Sequence, residues 1–536
     1  MTALRFPLFL LALLSMAAPA FSQPAAGGLT GLAADAELVE TRMEVPRLKT
    51  PAAYVMKDNT LELELSEYAG YAGLIAANGG LDPSENSVFF KKHGFKVKIV
   101  LSESESWSSL NSGRIAAAAT TADVLAVYGK QFQVVVPAQI GFSRGADAIV
   151  VQTGIKKIND LKGKTLATVQ FTEADFFIRY LAQEAGLPVN MLPDLKARPD
   201  PAKVNLVYCG DAEGAAALFA RDLKTGRNRL AGCVSWAPFT TETVENSDGK
   251  ATILVSNRNL LVIADILIVN KGFAQANPKV VAGLTEGLLE GNRMVRDNSD
   301  AHMDLVAKSL QWEKAETKAE LGKVHLSNLP ENLAFFSGAI DAAGSFGGIY
   351  QSAVYAYGSE LIKNPVDAEK FADLSHLKAI EQAGSFKDQK IAIAPIRSGS
   401  ATPVEQDPLL SKDIRFLFEP NSAKLDMSAA QNTPNLDLIK KLLQVSPGST
   451  ILLRGHVDPS RVAELRKQGG EQMVRQYALR AMALSKERAE SVRKVMVETL
   501  KVDSGRIDSV GRGWEEPLGT DAEQNRRVEV QWFTLE

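Results

Sequence analysis

The chain has 536 residues, a formal net charge of -3 and 45% hydrophobic composition, which gives it room for two or three domains and the balance of a globular protein. Such near-neutrality supplies no cationic excess for displacing counterions from phosphates, so nucleic acid is not expected among the partners. With five His and two Cys in the whole chain, and no HExxH or CxxC spacing, neither a metal site nor a bound cofactor is expected.

The first residues, MTALRFPLFLLALLSMAAPAFSQ, set Arg5 before an apolar run and place small residues at Ala20 and Ser22. This is the pattern of a secretory signal peptide over 1–22, and it implies export. Residues 23–58 are rich in Ala, Gly and Pro and read as an N-terminal extension. Export permits either a disulfide between Cys209 and Cys233 or two buried thiols, and the sequence leaves both open.

From about 59 to 384, strand-like runs such as TLELELS, FKVKIVLS, FQVVVPAQI, DAIVVQ, KTLATV, VNLVYC and ILIVN alternate with helical patterns. Alternation over that length predicts two α/β lobes with mostly parallel sheets. The Ser-, Pro- and charge-rich stretch 385–411 reads as a linker. From 412 to 536 a short strand, a helix over 429–445, the strand STILLRGHV, a helix around Leu484–Leu500 and two more strands predict a compact α+β unit.

In the C-terminal unit, IRFLFEPNSAKL, GHVD, LSKERAESVRKVMVETL, VGRGWEEP and NRRVEV occur in the order of the OmpA-like peptidoglycan-binding domain, which this region resembles. The resemblance implies that Asp458 and Arg488 hold the diaminopimelate of a cell-wall stem peptide; one of Arg526 and Arg527 supplements that site and the other is a solvated or packing residue, while Asn525 supports it by bonding the loop backbone nearby. A carboxylate suits the ammonium of that zwitterion and a guanidinium its carboxylate. His456 reads as a structural neighbour of that site. The interval between Asp458 and Arg488 is about twice the family's, which predicts an inserted loop, and Ala481 stands where the family favours Asn.

In the larger region, the opening LELELSEYAGYAGLIAANGG, then FFKKHGF, INDLKGKTLATVQ, the Trp-x-Pro of SWAPF and VNKGFAQANPKVV resemble the substrate-binding proteins of nitrate-, sulfonate- and taurine-type ABC importers. That family implies a two-lobed periplasmic-binding-protein fold whose cleft is formed by strand ends. Those ends here are Ser66, Glu67 and Tyr68; Thr120, Thr121 and Asp123; Ser143 and Arg144; Thr172 and Glu173; Trp236; and Asp265. Arg144 and the hydroxyls suit a phosphate, sulfonate or carboxylate, whereas the acidic groups favour a zwitterion or an amine. The combined expectation is a periplasmic, peptidoglycan-associated solute-binding protein with an ABC permease or envelope complex as partner. A wall-anchored scaffold without a small ligand is the alternative. No nucleophile stands beside a base and no G-x-S-x-G elbow occurs, so an enzyme is not expected.

Overall fold

A computed structural model describes residues 37–102, 106–339, 344–393, 408–419, 422–446 and 448–533. The expected signal peptide and most of the expected linker lie outside the described residues.

The first lobe begins with β1 (Thr60–Leu65), β2 (Lys96–Leu101), β3 (Ala117–Thr121) and β4 (Val134–Ser143). The chain then crosses to a second lobe made of β5 (Asp147–Gln152), β6 (Thr165–Val169), β7 (Val189–Met191), β8 (Val204–Cys209), β9 (Gly232–Trp236) and β10 (Ala251–Ser256). It returns through β11 (Ala264–Asn270) and β12 (Val324–Leu326). The two six-stranded sheets have the orders β12-β4-β11-β3-β1-β2 and β10-β5-β9-β6-β8-β7.

Each sheet is more mixed than the sequence pattern implies. The strands β1, β2 and β3 pair in parallel, as do β6–β9, β6–β8 and β7–β8. The strands that carry the chain between lobes run antiparallel: β11 to both β3 and β4, and β5 to both β9 and β10. A helical crossover returns a strand parallel to the last one, but a strand entering from the other lobe arrives by a different route.

Helices cover both sheets. Pro278–Asp297 starts with a proline, whose missing N–H costs nothing in a first turn, and packs on Ala72–Asn78. A segment of the N-terminal extension runs across both lobes. Val39 N–H donates to Tyr208 O in the second lobe (3.0 Å), and Arg42 exchanges two hydrogen bonds with the Gln170 side chain. Further on, Leu48 N–H donates to Gln131 and Ala52 N–H to Asn111 O in the first lobe.

The C-terminal unit is a four-stranded sheet, β13 (Leu410–Ile414), β14 (Thr450–Gly455), β15 (Ile507–Gly511) and β16 (Val528–Phe533), in the order β13-β16-β14-β15. The expected inserted loop is instead helical: a 37-residue element spans Val462–Glu498, broken at Gly469 and Gly470, the latter at φ 64°. Its sequence has high helix propensity up to the Gly-Gly pair, which supplies the break. The helix can lie on the sheet because β14 offers Gly455 at the contact. A Cβ there would stand 2.0 Å from Ser485 O, one turn before Arg488.

The unit docks on the second lobe. Asn159 and Ser411 exchange two hydrogen bonds, Ile158 N–H donates to Leu409 O, and Lys412 pairs with Glu184 (3.7 Å).

Cys209 and Cys233 are free and buried. Cys209 lies opposite Val169 and Cys233 opposite Ala167, on the two sides of β6. With a strand between them the Cα atoms are about 10 Å apart, beyond disulfide reach. Burial pushes the Cys209 thiol up to about 12 and the Cys233 thiol up as well. Denatured without reductant, the protein should take up two equivalents of iodoacetamide by mass; uptake of none would show a bridge.

Gly455→Ala should lower the unfolding transition of the C-terminal unit by roughly 1–3 kcal/mol through overpacking, read by calorimetry against an unchanged transition for the lobes. An unaltered scan would mean the helix does not lie this close.

Candidate functional site

The cleft between the lobes encloses a cavity of about 290 Å³. Strand ends build it: β1 contributes Glu64 and Leu65, β3 Ala119, Thr120 and Thr121, β4 Ser143, β5 Asp147, β9 Trp236 and β11 Asp265. Ser66, Tyr68, Tyr71, Ser102, Trp107 and Tyr128 complete the first lobe's wall, and Gln170, Thr172, Glu173, Gly210 and Asp211 the second's. Arg42 reaches it from the N-terminal segment.

The structure therefore brings together Ser66, Tyr68, Thr120, Thr121, Ser143, Thr172, Glu173, Trp236 and Asp265 of the expected set. Three expected residues do not line the cavity. The Arg144 guanidinium turns to Arg258 O (2.7 Å) and Asn259 Oδ1 (3.4 Å), where it braces the connection between lobes. Glu67 accepts a hydrogen bond from Trp312 Nε1. Asp123 is buried behind the wall, and desolvation pushes its carboxyl up to about 7. Sequence reasoning also missed Asp147, the N-cap Asp211, the rings of Trp107 and Tyr128, and Arg42. Of these, only Asp147 carried a usable signal, since it opens the first strand after a lobe crossing.

Electrostatically the cavity is acidic. Burial pushes the Asp147 carboxyl up to about 6 despite hydrogen bonds from Ser143 Oγ (2.5 Å) and Asn257 Nδ2 (3.1 Å). Burial, with Asp147 and Asp123 nearby, pushes Asp265 well up. Desolvation raises Glu64 too, although Ser106 N–H donates to it (3.1 Å).

At the far end of the chain, Asp458 follows β14 and accepts hydrogen bonds from Ser460 N–H and Oγ. Arg526 approaches it to 3.9 Å. Arg488 lies over the Phe418 ring, 5.0 Å from its centroid, and its buried Nε has no hydrogen-bond partner among the described residues. Desolvation, then the nearby charge of Arg526, holds its guanidinium below the usual range. Asp458, Arg488 and Arg526 thus form one neighbourhood.

Asn525 and Arg527 stand apart from it. Asn525 is buried and fixes the preceding loop, accepting from Leu518 N–H (2.8 Å) and donating to Gly519 O (2.9 Å). Arg527 spans two strands to Asp413 (2.9 Å). His456 is buried 3.4 Å from Glu529. With Glu516 those two residues bring ligand-type atoms within 4.8 Å of one another, but Arg454 already forks between the glutamates at 2.7 and 3.0 Å.

Comparison with known proteins locates these two halves. Residues 84–301 match the family model described as NMT1/THI5 like, and residues 417–531 match that of the OmpA family. The chain joins a segment that matches the NMT1/THI5-like model to one that matches the OmpA family model. In a Brucella abortus protein whose name describes it as a binding protein, 186 residues are 26% identical, covering 34% of this chain and 52% of that one. The chain thus spans about half the length of that curated relative. The outer membrane protein Omp38 of Acinetobacter baumannii is 24% identical over 145 residues, 26% of this chain and 36% of its own.

Solved structures with a similar chain course include the alkanesulfonate-binding protein SsuA from Xanthomonas axonopodis pv. citri bound to MOPS. It is 14% identical, with a TM-score of 0.45, covering 60% of this chain and 99% of its own. The periplasmic nitrate-binding protein NrtA from Synechocystis PCC 6803 is 13% identical, with a TM-score of 0.42, covering 62% and 90%.

Within the OmpA family segment, Arg454 and His456 hold Glu529 down to about 2 against the opposing effect of burial. A carboxyl depressed in the fold contributes stability above its unfolded value, near 4.5, and loses it as pH falls toward 2. The OmpA segment's unfolding temperature should therefore fall between pH 4.5 and 2 in the wild type. It should fall less steeply in Glu529→Gln, and parallel profiles would remove Glu529 as the cause.

Proposed function

We propose that this chain is an exported solute receptor held non-covalently to peptidoglycan, with the NMT1/THI5-like lobes capturing a small polar solute. The observation that carries the reading is the cavity between the lobes, walled by strand ends from both and floored by the segments that cross between them. A cleft in this place, with convergent polar groups and displaced pKa values, is where an α/β fold offers a ligand site. It favours solute capture over the scaffold reading, which calls for a cleft filled by side chains. No roles of nucleophile and base are assigned to any residues of the cleft, and the reading is of binding rather than catalysis.

The wall attachment rests on Asp458 and Arg488. Arg488, whose Nε has no hydrogen-bond partner among the described residues, and Asp458, joined to it through Arg526, offer a donor and an acceptor to the two charged ends of diaminopimelate. Arg526, half-exposed beside Asp458, belongs to the same recognition surface. Asn525 and Arg527 hold the chain on either side of Arg526, through the loop at Leu518 and Gly519 and through Asp413. The place of action is the periplasm, and an importer permease or an envelope complex is the proposed recipient of the solute.

Asp458→Ala and Arg488→Ala should each lower retention on purified peptidoglycan at least about tenfold, the scale of one charge-assisted hydrogen bond. Arg466→Ala, on the exposed helix before the Gly-Gly break, should bind as the wild type does. Unchanged retention of both site variants would end the tether proposal.

A further inference from the structure

The structure assigns the cleft to a solute bearing a protonated amine, seated with its ammonium against Asp265 and its carbon frame among aromatic rings. This rests on the reading of the lobes as a solute receptor and narrows it to a ligand class.

Charge is the first ground. Glu64, Asp147, Glu173, Asp211 and Asp265 line the cavity, and Arg42 is the one cation among its described lining residues. Asp211 also caps the helix Ala212–Thr225, accepting from Gly214 N–H. Arg144, the cation best suited by sequence to an oxyanion, is committed to Arg258 and Asn259. An oxyanion here would lose its hydration to a lining that offers one cation among five carboxyl groups, and it would oppose the ionisation of those groups.

The second ground is a pair of buried polar atoms without a partner among the described residues. Asp265 is 3% exposed and Thr120 5% exposed, and both line the cavity. Asp265 Oδ1 accepts from Tyr71 Oη at 3.4 Å, while among the described residues Oδ2 has no hydrogen-bond partner, and neither does Thr120 Oγ1. Residues Asp265 and Thr121, with Ile266 and Thr120 next to them, are directly paired on adjacent strands, so their side chains are held by the sheet. A buried carboxyl group with an oxygen left unpaired is costly, and more so once ionised. An ammonium offers three donors and the counter-charge, and its arrival allows Asp265 to ionise with release of the carboxyl proton to solvent.

Shape is the third. Tyr68 and Tyr71 stack edge to face, with centroids 5.3 Å apart, on the first lobe's wall. Trp107 and Tyr128 stand on the same lobe and Trp236 on the other. Aromatic faces beside carboxylates attract organic cations, and the cavity is near the lower end of ligand-site volumes, which suits a small molecule.

The test uses the full chain, thermal shift and isothermal titration, with phenethylamine and butylamine set against benzenesulfonate, butanesulfonate and nitrate. The amines should raise the unfolding temperature with the logarithm of ligand concentration over Kd. Asp265→Asn should weaken them at least tenfold, and Thr120→Val by a few-fold, with far-ultraviolet dichroism confirming that both variants fold. Sulfonate or nitrate binding without amine binding overturns the amine assignment and leaves the receptor reading standing. Silence toward both classes removes both. Amine binding of wild-type strength in Asp265→Asn also overturns the assignment.

Discussion

The carboxylate of Asp147 joins the segment leaving the first lobe to the segment returning to it. It accepts from Ser143 at the end of β4 and from Asn257 just beyond β10, while the Asn257 side chain accepts from Gly145 N–H at 2.7 Å. Those bonds hold the two crossings side by side and fix the floor of the cleft. Arg144 is drawn outward by the same junction, because its guanidinium satisfies Arg258 O on the neighbouring crossing. The placement that makes the connection rigid therefore also takes the cation away from the cavity and leaves it acidic.

Two further attachments join what chain order separates. The N-terminal segment binds Tyr208 and Gln170 on one lobe and Gln131 and Asn111 on the other, and it delivers Arg42 to the cavity. The C-terminal unit shares an apolar cluster with the second lobe, where Leu409 and Leu410 are buried. Its first strand is therefore also a docking element. Lys412 pairs with Glu184 there, offsetting the desolvation that raises that carboxyl. Asp458 and Arg488, the residues proposed to face the wall, lie just beyond β14 and on the long helix, so the docking contacts and the proposed recognition residues use different parts of the unit.

Much of this was legible in the sequence. Alternating apolar runs located the main strands, because a strand with both faces covered must be apolar along its length. The order of GHVD, LSKERA and NRRVEV pointed to the C-terminal site, and Gly455 gives the physical reason: only a glycine admits the helix backbone at that distance. The short strands β7 and β12 were missed, since three residues carry no periodicity. Strand-end logic found Thr120, Thr172, Trp236 and Asp265 in the cleft, but it could not tell which way Arg144 or Glu67 would turn. Their direction depends on partners far away in sequence, Arg258 and Trp312. Which of Arg526 and Arg527 would stand beside Asp458 was likewise open, because the bond of Arg527 to Asp413 is a cross-strand contact. The cysteines illustrate a topological limit: strand order, which the sequence does not state, puts β6 between them.

On this account the buried carboxyl group of Asp265, with one oxygen unpartnered among the described residues, selects the solute in the interlobe cavity. Crystals of the full chain grown with phenethylamine would test it most directly. The expected result is density for the amine in the cleft, with its nitrogen within hydrogen-bond distance of Asp265 Oδ2 and its ring among the aromatic side chains. An anion at that position, or a cleft filled by Tyr68 and Trp236 with no ligand, would contradict it.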